Sequence, residues 1–181
     1  MEVVSAEQYA FLNALIDSVG AIDEARLFQD ERGYQGELLQ ELAHRFDKGR
    51  FPGDPIVQQE YQKTIPSHGI RIRPDIIVHI PFERGASKDR RHGNFIAIEL
   101  KRNADEKAAR QAFGNLQAMK EALAYPLTVF VNIDSELTYM DLCPENIAEQ
   151  TVCISASLVD GKTSVRIQGM PDEPTKIVAR T

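Results

Sequence analysis

The sequence predicts an α/β domain built on a central mixed β-sheet flanked by helices, and three observations carry that reading. Residues 95 to 101, FIAIELK, alternate like a buried strand; an amphipathic helix follows at once; and residues 127 to 133, LTVFVNI, form the continuous apolar run of a strand covered on both faces. A strand, a helix and a second strand in that order make a parallel pair joined by a helical crossover. The ends of the chain add helices at the amino terminus and a hairpin near the carboxyl terminus.

Taken in order, Ser5 to Gln8 has the spacing of a capping box, and Tyr9, Leu12, Leu15, Ile16 and Val19 recur at helical intervals until Gly20. Residues 22 to 32 add a short second helix. Gly33 and Gly36 bracket the start of a third, with Leu38, Leu39, Leu42 and Phe46 along one side, Glu37 and Glu41 bordering the stripe, and Gly49 beyond it. FPGDP at 51 to 55 is loop. VQQEYQKTI at 57 to 65 places Val57, Tyr61 and Ile65 in strand fashion, PSHG makes a turn, and IRIRPDIIVHI follows as a strand. After the loop ERGASKDRRHGN, FIAIELK sets Ile96, Ile98 and Leu100 on one face and Ala97, Glu99 and Lys101 on the other. Asn103 opens the next helix with Glu106 in the reciprocal capping position, and Ala109, Ala112, Phe113, Leu116, Met119 and Leu123 form its apolar side before Pro126. TVCISASLV and KTSVRIQGM flank Asp160-Gly161, a dipeptide suited to the positive φ angles of a tight hairpin. There is no internal repeat and no low-complexity tract.

A chain of 181 residues and 20.3 kDa fits one domain. No apolar run approaches the roughly 20 residues a membrane helix needs. The amino terminus is acidic, unlike a secretion signal, and Cys143 and Cys153 match neither a CxxC pair nor a zinc set, so a cytoplasmic location is expected. The net charge of −6 argues against non-specific coating of nucleic acid, but it is uneven: residues 71 to 110 carry +4, leaving −10 elsewhere. That basic middle hints at a polyanion partner. It also contains Asp75, Glu99 and Lys101, charged residues on segments that otherwise read as core strands, where charge is costly unless paired or metal-bound.

Pro74-Asp75 in RPDIIVH and Glu99-Leu100-Lys101 in IAIELKR, followed by an amphipathic helix and an apolar strand, resemble the PD-(D/E)xK nuclease superfamily. The resemblance implies an αβββαβ restriction-endonuclease-like core over about residues 34 to 133, an N-terminal helical extension over 1 to 33, and a C-terminal extension with the hairpin over 144 to 170. It implies a metal-dependent nuclease, with Asp75, Glu99 and the Leu100 carbonyl holding Mg²⁺ or Mn²⁺ and Lys101 assisting the attacking water. The residues support this independently, because alternation points Glu99 and Lys101 to one side and a neighbouring strand can bring Asp75 beside them. In this superfamily an acidic residue from the helix before the sheet often completes the site; Glu37 is preferred for its place near the helix start, with Glu41 as the alternative. A Gln or Lys on the helix after the motif faces phosphate in some members, which nominates Gln111, Asn115 and Lys107. Lys88, Arg90, Arg91 and His92 in the loop, and Arg102 after the motif, are candidate nucleic-acid contacts, and His79 shares a strand face with Asp75.

The expected function is hydrolysis of phosphodiester bonds in nucleic acid, with DNA the expected polymer and a homodimer expected of a double-strand cutter. Cross-strand ion pairs on an open sheet face would explain the same charges without chemistry. The rival functions are a catalytically inactive nucleic-acid-binding or assembly module on the same fold, and a non-nuclease adaptor.

Overall fold

The computed structural model describes residues 6–47, 51, 53–59, 73–80, 93–169 and 176–179. Helix α1, Ala6–Ala21, and a 3-10 turn at Leu27–Gln29 lead into α2, Glu31–Arg45. Strands β1, Ile56–Gln59, β2, Ile76–His79, and β3, Asn94–Arg102, precede α3, Glu106–Leu123, and β4, Leu127–Ile133. A second 3-10 turn, Met140–Leu142, and the single turn α4, Glu145–Ala148, lead to β5, Thr151–Val159, β6, Lys162–Gln168, and β7, Lys176–Ala179. The seven strands form one mixed sheet in sequence order. The β1–β2 and β2–β3 pairs are antiparallel, β3–β4 and β4–β5 parallel, and β5–β6 and β6–β7 antiparallel. The α/β class expected from the crossover unit is the class observed. Among the described residues no helix is long and apolar enough to cross a membrane.

Strand alternation divides the apolar side chains into two layers. Ile76, Val78, Ile96, Ile98 and Leu100 pack with Leu15 of α1 and with Tyr34, Leu38 and Leu42 of α2. On the other face Ile77, Ala97, Phe130 and Cys153 pack with Phe113, Leu116 and Met119 of α3. Each large apolar side chain buried in this way contributes roughly 1.5–3 kcal/mol. With a helix layer on each face, Glu99 on β3 is removed from water, while Lys101 and Arg102 at the strand's end keep part of their surface in it.

The third expected helix starts at Glu31, about three residues before the expected start near residue 34. Helix α2 runs through Gly33 and Gly36, and a methyl group at Gly33 would lie 2.6 Å from the Asp30 carboxylate and 3.3 Å from Leu27. Gly33 thus gives room for Asp30 and the preceding turn to fold back on the helix, and is no boundary. Helix α3 also starts later than expected. Its N-cap is Asp105, whose side chain accepts from the Ala108 N–H at 2.7 Å, while Asn103 sits in a left-handed turn with φ 43°. The hairpin agrees with expectation, because Asp160 and Gly161 both adopt positive φ.

A buried amide braces the turn from β3 into α3, where the Asn103 N–H also donates to the Ile133 carbonyl at 2.7 Å. Asn132 of β4 lies beside Lys101 in the parallel register; its Oδ1 accepts from the Ala104 N–H at 3.0 Å and its Nδ2 donates to the Leu137 carbonyl at 2.8 Å. The Tyr139 hydroxyl donates to the Ala104 carbonyl at 2.8 Å. Changing Asn132→Leu strands two backbone groups, so urea denaturation should show a loss of about 1–3 kcal/mol for each. A loss below about 0.5 kcal/mol, the size of an ordinary surface change, would show that the amide does not hold the turn.

Candidate active site

The antiparallel register sets Ile76 opposite Ile98 and Ile77 opposite Ala97, so one step further along the same pairing Asp75 faces Glu99. Buried Pro74 has no N–H for a ladder, and β2 begins only at Ile76. The Asp75 side chain takes up the backbone group facing it instead: Oδ2 accepts from the Leu100 N–H at 2.7 Å. From the other layer Gln35 of α2 donates through Nε2 to the Asp75 carbonyl at 2.7 Å. Asp75 is thereby held at both its side chain and its backbone.

Glu99 is 3% exposed on the α3 face of β3. Asn115 of α3 donates to its Oε2 at 3.2 Å, while Oε1 is buried with no hydrogen-bond partner. Burial pushes the Glu99 carboxyl up to about 8; the Asp75 charge and, more weakly, Glu31 act in the same direction, against Asn115 and Lys101. Lys101 places its Nζ 2.7 Å from the Leu100 carbonyl, 3.5 Å from Glu31 Oε1 and 3.9 Å from Asp75 Oδ2.

Of the expected site residues, Asp75, Glu99, Leu100 and Lys101 come together. The acidic residue from the preceding helix is Glu31, not Glu37. Glu31 Oε2 accepts from the Arg102 backbone N–H at 2.9 Å while Oε1 faces Lys101. Glu37 lies six residues on, about 240° around the helix from Glu31, and so points away from this side. The alternative, Glu41, is paired with Arg45 at 2.6 Å. Asn115 is the candidate on α3 that reaches the cluster; Gln111, one turn earlier, and Lys107 are exposed. Arg102 is exposed and engaged within the fold, its guanidinium donating to the Phe28 carbonyl at 3.0 Å and to Asp134 Oδ2 at 3.0 Å. His79 is at the opposite end of β2 from Asp75, with Nε2 2.6 Å from Gln58 Oε1. Lys88, Arg90, Arg91 and His92 lie outside the described residues. Burial pushes the Cys143 and Cys153 thiols up, which keeps both neutral.

Glu31 escapes a reading that starts α2 at about residue 34, and Gln35 is passed over because it carries no charge. Counting back from Leu42 and Leu38 by four residues gives Tyr34, and Asp30 before Glu31 has the form of an N-cap with an acid in the first turn, so the pattern was present in the sequence.

Among the described residues no group of three His, Cys, Asp or Glu side chains forms a ready metal cage. A Mg²⁺ site does not need one, since this ion keeps several waters and takes one or two carboxylates. The unpartnered Glu99 Oε1, on a carboxylate close enough to Asp75 to feel its charge, suits such an ion. Two cavities, of about 450 and 280 Å³, are lined by residues outside this cluster, among them Asp134, Glu136 and Arg166. No family model, curated protein or solved structure matches the chain.

Raising the Glu99 value from an ordinary 4.5 to about 8 makes ionisation in the folded chain cost on the order of 5 kcal/mol. Between those values the folded chain keeps a proton that the unfolded chain has lost. Stability therefore falls as pH rises through this window and levels off above it. Glu99→Gln lacks the titration. In metal-free buffer its melting temperature should gain on that of the unaltered chain by about 10 °C between about pH 5 and pH 8.5. A difference that stays constant with pH would contradict the buried, uncompensated carboxyl.

Proposed function

We propose that this chain is a metal-dependent nuclease, hydrolysing phosphodiester bonds in nucleic acid with DNA as the expected substrate. The observation that carries the reading is the placement of Asp75 opposite Glu99 with Lys101 beside them, on a strand covered by helices. Cross-strand ion pairs on an open face account for it less well, because Glu99 is buried and one of its oxygens has no partner. The run α2, β1, β2, β3, α3, β4 supports a restriction-endonuclease-like core, having the αβββαβ order which the PD-(D/E)xK resemblance implies.

Asp75, Glu99 and the Leu100 carbonyl would hold Mg²⁺ or Mn²⁺, which supplies Lewis-acid charge to a phosphate oxygen and lowers the pKa of a coordinated water. The chain's own residues orient this set. Asn115 fixes one oxygen of Glu99, and Gln35 and the Leu100 N–H fix Asp75. Lys101 donates to the attacking water or to the phosphate oxygens, where charge grows towards the transition state. Glu31 takes the place expected for Glu37, and the Arg102 side chain serves the fold.

Purified protein should cleave at least one of supercoiled, linear, branched or single-stranded DNA with Mg²⁺ or Mn²⁺ and stop with EDTA. Asp75→Ala should abolish Mn²⁺ binding by calorimetry with native circular dichroism, and Lys101→Ala should lower turnover at least about 100-fold. Mn²⁺ binding undiminished in both Asp75→Ala and Glu99→Ala, or cleavage per folded molecule unchanged in Lys101→Ala, would overturn the reading.

A further inference from the structure

Three oxygen atoms from three different segments surround one ammonium. The Leu100 carbonyl on β3, Glu31 Oε1 on α2 and Asp75 Oδ2 before β2 lie 2.7, 3.5 and 3.9 Å from Lys101 Nζ. Lys101 folds back to the carbonyl of its own neighbour, which an extended side chain on a strand does not reach without turning along the chain. Glu31 is held for this purpose from behind, because its second oxygen is occupied by the Arg102 N–H at 2.9 Å. The Lys101 side chain is 28% exposed, so it is placed by these oxygens and not by being walled in.

We propose that Lys101 is an internal stand-in for the divalent cation: without metal its ammonium occupies the oxygen cluster, and a metal ion enters by displacing it. This rests on the metal site assigned above and adds a competition within it. The Leu100 carbonyl and Asp75 serve both the ammonium and the ion, and a divalent ion bound to those oxygens repels an ammonium left close beside it. Once displaced, Lys101 is free to turn toward a phosphate. Glu31 is the positioning residue of the metal-free state.

The test is Mn²⁺ titration calorimetry on the full chain and on Lys101→Met, with Arg102→Gln as a control that removes the same charge one residue away. Losing a competing charge-assisted hydrogen bond should tighten Mn²⁺ binding by about 10- to 100-fold in Lys101→Met. Arg102→Gln, whose guanidinium is bonded to Phe28 and Asp134, should change it less than about threefold. The melting temperature of Lys101→Met should fall below that of the unaltered chain in EDTA and equal it in saturating Mn²⁺. Lys101→Gln, which keeps a polar tip, replaces Lys101→Met if circular dichroism shows that the latter is unfolded. Equal affinities in the unaltered chain and the Lys101 variant, or a gain in Arg102→Gln as large as that at Lys101, would overturn the competition while leaving the metal site standing. No Mn²⁺ binding by any of the proteins would remove both.

Discussion

Two carboxylates that face each other across a covered strand pair set the terms for everything around them. Like charges directly opposite on neighbouring strands repel, and burial adds the cost of desolvation. A proton, a cationic side chain or a metal ion can relieve this. Two of those remedies are built into the chain, as the raised affinity of Glu99 for a proton and the ammonium of Lys101. The surrounding polar contacts do a different task. Asn115 and the Leu100 N–H are neutral groups that orient the carboxylates, and Gln35 holds the Asp75 backbone, without cancelling their charge. Retaining so much uncancelled charge against the interest of stability is what distinguishes this cluster from an ordinary surface ion pair.

The sheet makes that tension sustainable. Strand β3 is bonded along both edges, antiparallel to β2 and parallel to β4, so Glu99 and Lys101 cannot move apart without breaking two ladders. The apolar layers on each side hold the strand flat between α2 and α3. The site also sits where the regular structure stops, with Asp75 one residue before β2 and Lys101 one residue before the end of β3. Backbone groups that a continuing ladder would use are therefore offered to side chains instead. The Leu100 N–H goes to Asp75, the Arg102 N–H to Glu31 and the Ala104 N–H to Asn132. Three consecutive alternate amides at the end of one strand thus fix three side chains, two of them acidic members of the cluster.

Legibility from sequence follows the strength of the local pattern. Strand β4 and the hairpin were readable because a continuous apolar run and an Asp-Gly turn leave few alternatives, and the pairing of Glu99 with Lys101 on one face follows from alternation alone. Which helix residue joins them was not readable in the same way. It depends on where α2 begins, and Gly33 is ambiguous: the residue that often marks a boundary here clears space for Asp30 inside the helix. Misplacing that start by about three residues moves the acidic choice near the helix start from Glu31 to Glu37. Arg102 shows a second limit, since its charge suggested a phosphate contact while Asp134 and the Phe28 carbonyl, its actual partners, are brought near only by the tertiary fold.

Charge balance connects the proton and the metal ion. Once a metal ion displaces Lys101, ionised Glu31, Asp75 and Glu99 present −3 to it; with Lys101 in place the metal-free cluster carries a net −2. With Glu99 protonated it carries −1, a smaller imbalance that Arg102, committed to Asp134, does not correct from its place at the edge. A divalent ion and the Glu99 proton are therefore alternatives: because the ion favours the ionised carboxylate, binding it releases the proton, and lowering the pH weakens its hold. Near neutral pH the metal-free chain holds most of its Glu99 proton, so the buffer's own heat of ionisation should enter the measured enthalpy of Mn²⁺ binding. Titrations in two buffers with different ionisation enthalpies should report close to one proton released per ion at about pH 7, falling towards none by about pH 9. A proton count of zero at both values would mean that Glu99 is already ionised in the metal-free chain, and that its burial is compensated by a group other than Lys101.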